Sequence, residues 1–339
     1  MRALVCREFG ALERLCVEHW PEPALADDKA RIAVTAAGVS FANTVVLDGR
    51  HQNTPEMPFI PGTELAGVVV DKGARCEGIA LGQTVVASVP KGAFATHAHI
   101  GPRDLYAIPA TLDPAVATAI PTLYGTAMGA LKWRARVQPG HTVLVLAAGS
   151  GTGLAAVDAA TMLGARVIAC ASTDEKLALA GARGARHLIN YTTQDIVTQV
   201  RAYTDGAGVD VIYDPVGGSP FVQSYQTLKP EGMALMIGFA SGEVPSLDMQ
   251  ALQHDNLRAS GFYWGFHLGI GRVNGDEEVR ARTRALIDDI TSAVADGTLR
   301  PHISERYPLA RGAEALLAVR ERRVSGRVTL NMDEGNNNP

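Results

Sequence analysis

The fold of this chain is decided by the stretch Thr142-Val143-Leu144-Val145-Leu146-Ala147-Ala148-Gly149-Ser150-Gly151-Thr152-Gly153. Its first six residues form an apolar run typical of a buried strand, and an alanine-rich helix is predicted for 153–163. Glycine lacks Cβ, so the backbone between strand and helix can turn tightly and approach a phosphate group. The start of a helix offers that anion unpaired N–H groups and a positive dipole end. We therefore predict that residues 149–153 bind a nucleotide; the alternative is a glycine-rich turn without a ligand.

Strands and helices alternate after this turn. Apolar strands are predicted at 166–170, 187–190, 209–213, 234–238 and 258–263, and helices at 174–182 and 193–203. Alternation at this spacing predicts a parallel sheet with helices on both faces. Because crossovers between parallel strands are right-handed, this sheet should be a doubly wound Rossmann sheet.

The N-terminal third has a different pattern. Predicted strands at 30–37, 64–70 and 84–88 are separated by short stretches rich in Gly, Pro and Asp, as in a compact β domain. The C-terminal part holds a long predicted helix at 276–295 but too few strands for a third domain. The expected organisation is an α/β chain with one domain at 1–120 completed by 267–332, a Rossmann domain at 121–266 and a disordered tail at 333–339.

Composition argues against several classes of function. The 339 residues are 47% hydrophobic and 19% charged, which suits ordered domains. The net charge is −4 and no polybasic run occurs, so neither nucleic acid nor an anionic membrane surface is an expected partner. The sequence shows no signal-peptide pattern and no apolar run of membrane-spanning length. With its four cysteines scattered, it is expected to be a cytoplasmic protein with reduced thiols.

The end of the second Rossmann strand distinguishes NAD from NADP. Enzymes that use NAD usually place Asp or Glu there to bind the ribose 2′-hydroxyl. Here the strand is followed by 171–173 (AST), and Asp174 comes only at the start of the next helix. Ser172, Thr173 and Lys176 could instead hold a 2′-phosphate, because hydroxyls and a cation suit a dianion. We expect NADPH; capping of the helix is a second role for the same hydroxyls and is compatible with the first.

Metal ligands are sparse in the sequence. The four cysteines are too dispersed for a structural zinc site. His97 and His99 should point to one face of a strand, but no Cys or carboxylate stands in register beside them. We therefore expect no metal. Without a metal or strong base to stabilise an alkoxide, reduction of an activated acceptor is easier to explain than oxidation of an alcohol.

Six short motifs occur in a fixed order along the chain. They are AAGV at 36–39, PGTELAGVV at 61–69, GSGTG at 149–153, HLINY at 187–191, GVDVIYD at 208–214 and IGFASG at 237–242. With them the chain resembles the medium-chain dehydrogenase/reductases, and most of all their zinc-free NADPH:quinone oxidoreductase branch. The resemblance extends from about Arg2 to Asn331. As a set, the motifs are more specific for the superfamily than for the quinone branch.

The resemblance implies a GroES-like β-barrel fold for the first domain. It also implies homodimers joined edge to edge through the Rossmann sheets, with the strand near 261–263 as the interface. Zinc alcohol dehydrogenases place a Cys and a His where this chain has Ser40 and Thr63, which agrees with a metal-free protein.

The resemblance also implies a set of cofactor contacts. It places Thr126 beside the nicotinamide. The other implied contacts are Phe239, Ala240 and Ser241 at the nicotinamide end, and Tyr191, Ser172 and Lys176 near the 2′-phosphate. The phosphate turn departs from the common pattern at Ser150, where the family often has Gly, but a hydroxyl can still donate to a phosphate.

The main departure from the family concerns the acceptor. The quinone branch usually reads Asn-x-x-Asp-x-Tyr after Ala-Gly-Val, where this chain has Ser40, Asn43 and Val45. These positions border the substrate cleft in the family, so the identity of the acceptor is open. Candidate donors to negative charge on an acceptor are Ser40, Asn43, Tyr124 and Thr126. Each has a structural alternative, such as a turn, a loop hydrogen bond or core packing.

Several other side chains have a functional or a structural interpretation. Glu64 could order the cleft by hydrogen bonding. An aromatic wall for a flat substrate could be formed by Phe41, Phe262, Tyr263 and Trp264, or these rings could pack in the core. His51 and His267 are interpreted as surface or packing residues.

Three functions follow from these observations. The favoured one is hydride transfer from NADPH to a quinone or related conjugated carbonyl without zinc, with an enone or enoyl double bond as the alternative acceptor. A metal-independent dehydrogenase of a hydroxyl substrate would need an acid–base group, and the candidate positions offer no His or Lys. The third is a non-catalytic NADPH-binding protein.

Overall fold

The computed structural model describes residues 1–332, and the chain divides into two compact units. Unit 1 comprises Met1–Thr122, Gly265–Gly297 and, of the described residues, 301–332. Unit 2 comprises Leu123–Trp264 and Thr298–Arg300. The expected boundaries at 120 and 266 each fall two residues from these divisions. The predicted tail at 333–339 lies outside the described residues.

Within residues 1–332 the strands are β1 (Arg2–Val5), β2 (Cys16–His19), β3 (Ala30–Val39), β4 (Glu64–Lys72), β5 (Thr84–Ser88), β6 (His97–Ile100), β7 (Leu105–Ala107), β8 (Thr142–Val145), β9 (Arg166–Ala171), β10 (Ala185–Asn190), β11 (Val209–Asp214), β12 (Leu228–Met236), β13 (Arg258–Gly261), β14 (Ile303–Pro308) and β15 (Arg327–Asn331). The helices are α1 (Phe41–Leu47), α2 (Pro114–Ala117), α3 (Gly125–Met128), α4 (Gly151–Met162), α5 (Asp174–Gly181), α6 (Ile196–Tyr203), α7 (Gly218–Tyr225), α8 (Met249–His254), α9 (Trp264–Leu268), α10 (Glu277–Ala295) and α11 (Gly312–Arg320). Short 3-10 turns lie at Leu12–Arg14, Pro102–Asp104 and Leu309–Arg311, and π-helical turns at Ile120–Tyr124 and Gly129–Arg134.

Unit 2 is built on a six-stranded parallel sheet. Its strand order is β10-β9-β8-β11-β12-β13. Numbered from β8, this is the order 3-2-1-4-5-6 of a doubly wound Rossmann sheet, so the predicted fold class is confirmed. The strand order reverses between β8 and β11, and ligands of such sheets bind beyond the carboxyl ends of the strands at that point.

Helices cover both faces of this sheet. Helix α4 contacts α5, and α6 contacts α7. Right-handed crossovers that run in opposite directions from β8 must lie on opposite faces, so the two pairs form the two outer layers. The strands between them are buried on both sides, and β8 is apolar and fully buried after Thr142. Helix α4 is rich in buried alanine, which lets it pack closely on β8 and β9.

Unit 1 contains the second large sheet. Its strand order is β14-β15-β3-β4-β5-β7, with β6 paired to β3. The pairs are antiparallel except for β14 with β15. The fold of this unit matches the GroES-like expectation, and the path of paired strands has β14 and β7 as its two ends. Apolar residues of the sheet, including Ile32, Leu65 and Leu330, form the core together with Leu4 of β1, which pairs with β2 in a separate two-stranded sheet, and with side chains of α11.

Local hydrogen bonds move several predicted boundaries. The strand predicted at 142–147 ends at Val145, because Ala147 turns the chain with φ 50°. The helix predicted from 193 begins at Ile196, because the Asp195 carboxylate caps it by accepting from the backbone N–H of Thr198 at 2.8 Å. The strand predicted at 234–238 is β12, which starts six residues earlier and ends two residues earlier.

The long predicted helix is α10, and Asp276 caps its first turn through the backbone N–H of Val279 at 3.0 Å. None of the helices among residues 1–332 is both long and apolar enough to cross a bilayer.

Candidate active site

The predicted phosphate turn is shaped by close backbone contacts between β8 and α4. The Ser150 hydroxyl caps α4 by accepting from the backbone N–H of Gly153 at 3.0 Å. A Cβ on Gly153 would lie 2.1 Å from the carbonyl oxygen of Ala147, so only glycine lets the helix start this close to the strand. The Ser150 hydroxyl has accepted one bond and can still donate its own proton. The α4 N-terminus and this hydroxyl together suit a phosphate.

Lys176 lies across this turn. A Cβ on Gly149 would meet the Lys176 side chain at 2.5 Å, so the glycine leaves room for the lysine stem. Thr173 caps α5 and accepts from the backbone N–H of Lys176 at 3.4 Å. The cap therefore holds the base of the lysine beside the turn, so a cationic side chain lies next to the predicted phosphate turn.

Ser172 and Tyr191 follow neighbouring strands at the same edge of the sheet. Ala171, the last residue of β9, pairs with Asn190, the last residue of β10. The backbone N–H of Tyr191 donates to the Ala171 carbonyl at 3.2 Å, and the tyrosine is 39% exposed. Asp174 accepts a 2.8 Å hydrogen bond from the Asn190 side chain, so the carboxylate nearest this edge is already engaged.

Tyr124 has a different environment from the one expected for an acceptor donor. Its hydroxyl donates to the Asp158 carboxylate at 2.5 Å, and both side chains are buried. Arg183 donates to the same carboxylate at 2.7 Å. Burial, and then the Asp158 charge, raise the pKa of Tyr124. The Tyr124 proton is held in the interior of unit 2, whereas Thr126 lies two residues further along the chain, in α3, and is 8% exposed.

The loop after β12 carries the residues expected at the nicotinamide end. The backbone N–H of Ala240 donates to the Pro215 carbonyl at 3.1 Å, and that of Ser241 donates to the Val216 carbonyl at 2.9 Å. Phe239 is 43% exposed. This loop is thus held against the loop that follows β11.

Asp214, at the end of β11, organises that second loop. Its carboxylate has no exposed surface and accepts backbone N–H bonds from Val216 at 2.7 Å and Gly217 at 3.0 Å. Burial raises the pKa of Asp214 to about 6, although the two N–H donors oppose the shift. In the sequence, Asp214 was noted only as the last residue of the motif at 208–214. The feature that could have marked Asp214 as a structural residue is its position, since it is a carboxylate at the end of an apolar, buried strand.

Three polar side chains meet at one end of the unit 1 sheet. Ser40 and Asn43 form a capping box at the start of α1: each side chain bonds the backbone N–H of the other. The Asn43 side-chain amide also donates to the Thr63 hydroxyl at 3.3 Å. The structure therefore brings the two expected donors together with Thr63, the residue at the position of a family zinc ligand.

Glu64, next to Thr63, is held by a residue that sequence reasoning missed. Arg327 lies 3.2 Å from the Glu64 carboxylate, and both side chains are almost fully buried. A Cβ on Gly38 would lie 1.4 Å from the Arg327 guanidinium, so the glycine of the Ala-Gly-Val motif makes space for it. The ordering role expected for Glu64 is consistent with this pair. Nothing in the local sequence marked Arg327 as a buried cation.

The four residues of the expected aromatic wall differ in burial. Trp264 and Phe262 are 4% and 5% exposed, and their rings pack together with a centroid separation of 6.1 Å. A Cβ on Gly125 would lie 2.5 Å from the Trp264 ring, so this ring packs on α3 as part of the interior. Tyr263 is 44% exposed, and Phe41 is half-buried in α1 of unit 1.

The histidines correct one sequence expectation. His99, on β6, bonds the Glu22 carboxylate at 3.0 Å, so a carboxylate does stand beside this strand. Arg31 holds the same carboxylate and, as the main cause, lowers the pKa of Glu22 to about 2. Sequence reasoning missed the contact because Glu22 lies outside any predicted element. Among residues 1–332, no three His, Cys, Asp or Glu side chains are grouped closely enough to hold a metal ion.

The two other histidines that the sequence singled out, His51 and His267, have local contacts. His51 accepts from the backbone N–H of Asn53 at 3.1 Å, and burial lowers the pKa of His51. His267 is 6% exposed and lies edge-on to Phe266. Both placements agree with their interpretation as surface or packing residues.

Two family models match the chain. An alcohol dehydrogenase GroES-like domain matches residues 26–143, and a zinc-binding dehydrogenase model matches residues 151–275. These matches fall on the unit 1 sheet and on the Rossmann sheet respectively.

Known proteins are similar over nearly the whole chain. The quinone oxidoreductase-like protein 2 homolog of Nematostella vectensis is 36% identical over 334 residues, covering 97% of this chain and 88% of that protein. A 2-haloacrylate reductase of a Burkholderia species is 32% identical over 310 residues, covering 88% of this chain and 90% of that protein. The structure of Escherichia coli quinone oxidoreductase complexed with NADPH superposes with a TM-score of 0.88 at 25% identity, covering 98% of this chain and 100% of that one.

The extent of the identity, the Rossmann order and the glycine turn lead to one conclusion. The chain is an oxidoreductase that belongs to the quinone oxidoreductase-like branch of the medium-chain dehydrogenase/reductase family.

Proposed function

We propose that this protein is an NADPH-dependent reductase of quinones or related conjugated carbonyls that works without zinc. The observation that carries the proposal is the position of Lys176 against Gly149, beside a strand edge that presents Ser172 and Tyr191. A cation and hydroxyls at that edge suit a 2′-phosphate, whereas the carboxylate that would favour NAD does not end the strand.

The residues of unit 2 fit a nicotinamide dinucleotide. The α4 N-terminus and the Ser150 hydroxyl would bind the pyrophosphate. Ser172, Lys176 and Tyr191 would bind the 2′-phosphate. Thr126 and the loop 239–241 would line the nicotinamide end. When bound, NADPH supplies a hydride, and the protein supplies orientation and electrostatics.

The acceptor side of the proposal rests on unit 1 and on the relatives. Ser40 and Thr63 offer hydroxyls in place of the thiolate and imidazole that catalytic zinc sites use. Hydroxyl and amide donors can bind a carbonyl oxygen that gains negative charge as the acceptor is reduced. The relatives whose names specify quinone oxidoreductases support a quinone as that acceptor.

A second candidate is reduction of a carbon–carbon double bond conjugated to a carbonyl or carboxylate. The similarity to a 2-haloacrylate reductase favours it specifically. Both candidates use the same cofactor and the same donors to an oxygen anion.

The test is NADPH oxidation by metal-stripped protein, followed by the loss of NADPH absorbance, with a small quinone in one reaction and an enone in another. We expect turnover with the quinone, and no gain on adding zinc. Turnover with the enone alone would establish the second candidate. Absence of turnover with both, while NADPH binds, would overturn the catalytic proposal and favour a non-catalytic NADPH-binding protein.

A further inference from the structure

The hydrogen bonds around Asn43 determine which of its side-chain atoms faces which neighbour. The backbone N–H of Ser40 lies 2.8 Å from Asn43 Oδ1, and a backbone N–H can only donate, so the atom it meets must be the amide oxygen. The Ser40 hydroxyl also donates to this oxygen at 3.0 Å. Both lone pairs of Oδ1 are therefore used, and the amide nitrogen faces away from Ser40.

That orientation leaves Thr63 as a donor. Asn43 Nδ2 lies 3.3 Å from Thr63 Oγ1, and an amide nitrogen cannot accept a hydrogen bond. The Thr63 oxygen must accept there, so its own proton points elsewhere. Among residues 1–332 no acceptor takes that proton, and the side chain is half-buried. A bound ligand or solvent is left to receive it.

The backbone around Thr63 holds this hydroxyl in place. The carbonyl of Thr63 accepts from the backbone N–H of Val89 at 2.8 Å. Gly62 precedes it with φ 92°, and Phe94 packs where a Gly62 Cβ would be. Glu64 follows it and is held by Arg327. A donor fixed in this way does not have to reorganise when charge develops on a ligand.

We infer that Thr63 is a catalytic residue whose hydroxyl donates to the carbonyl oxygen of the acceptor, and that Asn43 and Ser40 are its positioning residues. The inference rests on the proposed function and replaces Ser40 and Asn43 as direct donors. Successive donation from Ser40 to Asn43 to Thr63 polarises the last hydroxyl and makes it a better donor. Reduction of the acceptor requires a hydride, which NADPH would supply when bound, and one proton, which water would supply. Thr63 keeps its own proton throughout.

The first experiment uses 4-nitrophenolate as a probe of oxygen anion binding to the protein loaded with NADP⁺. Thr63→Val removes the hydroxyl at nearly constant shape, and Thr63→Ser restores it. We expect Thr63→Val to weaken phenolate binding about tenfold and to shift the absorbance of the bound probe, with recovery in Thr63→Ser. The control is Thr35→Val, because the Thr35 hydroxyl lies on β3 and donates to the Ala66 carbonyl at 3.1 Å; this variant should match wild type.

The second experiment measures quinone reduction by the same variants. Thr63→Val should lower kcat about 100-fold with little change in KM for NADPH, and Thr63→Ser should recover most of the loss. Wild-type kcat in Thr63→Val would overturn the inference and leave the proposed function standing. If the wild type reduces neither quinone nor enone, the proposed function fails. Binding of 4-nitrophenolate would then still test whether the Thr63 hydroxyl donates to a bound oxygen anion. The inference about Thr63 would be overturned if wild type and Thr63→Val bound the probe equally, or if wild type did not bind the probe.

Discussion

Among single residues, Asp214 is completely buried, and within residues 1–332 its carboxylate bonds backbone N–H donors and no cation. Those donors order the chain after β11, and that segment in turn holds the loop at 239–241. The carboxylate thus supports two loops at the edge of the sheet where we propose the nicotinamide binds. Its ionisation opposes folding, because desolvation disfavours the charged form.

We expect Asp214 to produce a measurable pH dependence of stability. Its pKa is about 6 in the folded chain against an ordinary 3.8, so its stabilising contribution is complete below pH 3.8 and is lost as the pH rises through 6. The loss should amount to at most about 3 kcal/mol. Urea unfolding followed by circular dichroism between these pH values should show a steeper fall for wild type than for Asp214→Asn. Asp71→Asn, at an exposed acid, should keep the wild-type slope; parallel curves for wild type and Asp214→Asn would contradict this assignment.

Helix caps are the element-scale feature that most directly links sequence to site. Ser150 caps α4, Thr173 caps α5 and Asp195 caps α6, and each is a short side chain that accepts a hydrogen bond from the backbone N–H three residues ahead. The first two caps also set the phosphate turn and the base of Lys176. Thr173 therefore has the capping role that the sequence allowed, and Lys176 carries the charge.

The α5 element yields a test of cofactor preference. Lys176→Ala should weaken NADPH binding roughly 10- to 100-fold, because a hydrogen bond to a charged group is lost, and should leave NADH binding nearly unchanged. Fluorescence of the bound reduced cofactor measures both dissociation constants. Lys132→Ala, at an exposed lysine on another helical segment of unit 2, is the matched control. Equal weakening of both cofactors by Lys176→Ala would show that the 2′-phosphate assignment is wrong.

At the scale of the whole molecule, β13 is an edge strand of the Rossmann sheet, with β12 as its partner. The backbone N–H of Phe262 donates to the Met236 carbonyl. Every second residue before it, Ser260 and Arg258, therefore directs its N–H group toward β12. Ala259 and Gly261 therefore direct their N–H groups outward, because successive residues of a strand alternate. An edge of this kind can pair with a second copy across a twofold axis, which supports the homodimer we expect.

Ala259→Pro should convert that dimer to a monomer. Proline removes the outward N–H of Ala259 but no hydrogen bond to β12, and proline is tolerated on edge strands. Sedimentation equilibrium gives the oligomeric state, and retained NADPH binding shows that the monomer is folded. A monomeric wild-type chain, or a dimeric Ala259→Pro variant, would rule out this edge as the interface.

Features that depend on neighbouring residues could be predicted from the sequence. Apolar strands alternating with capped helices predicted the Rossmann sheet, and the glycines at 149–153 predicted the phosphate turn, because hydrophobic period and turn chemistry act over a few residues. A cap moved the start of α6 by three residues and a left-handed residue moved the end of β8 by two, whereas β12 starts six residues before its predicted start.

The packing of distant segments determines which polar groups have hydrogen-bond partners, and the sequence does not show this. Arg327 reaches Glu64 across 263 positions, Tyr124 reaches Asp158 across 34, and Asn43 reaches Thr63 across 20. Each contact changes the role of a residue that the sequence had marked, or reveals one it had not. The physical reason is that a hydrogen-bonding group has few sites to offer, and packing of distant segments determines what fills them.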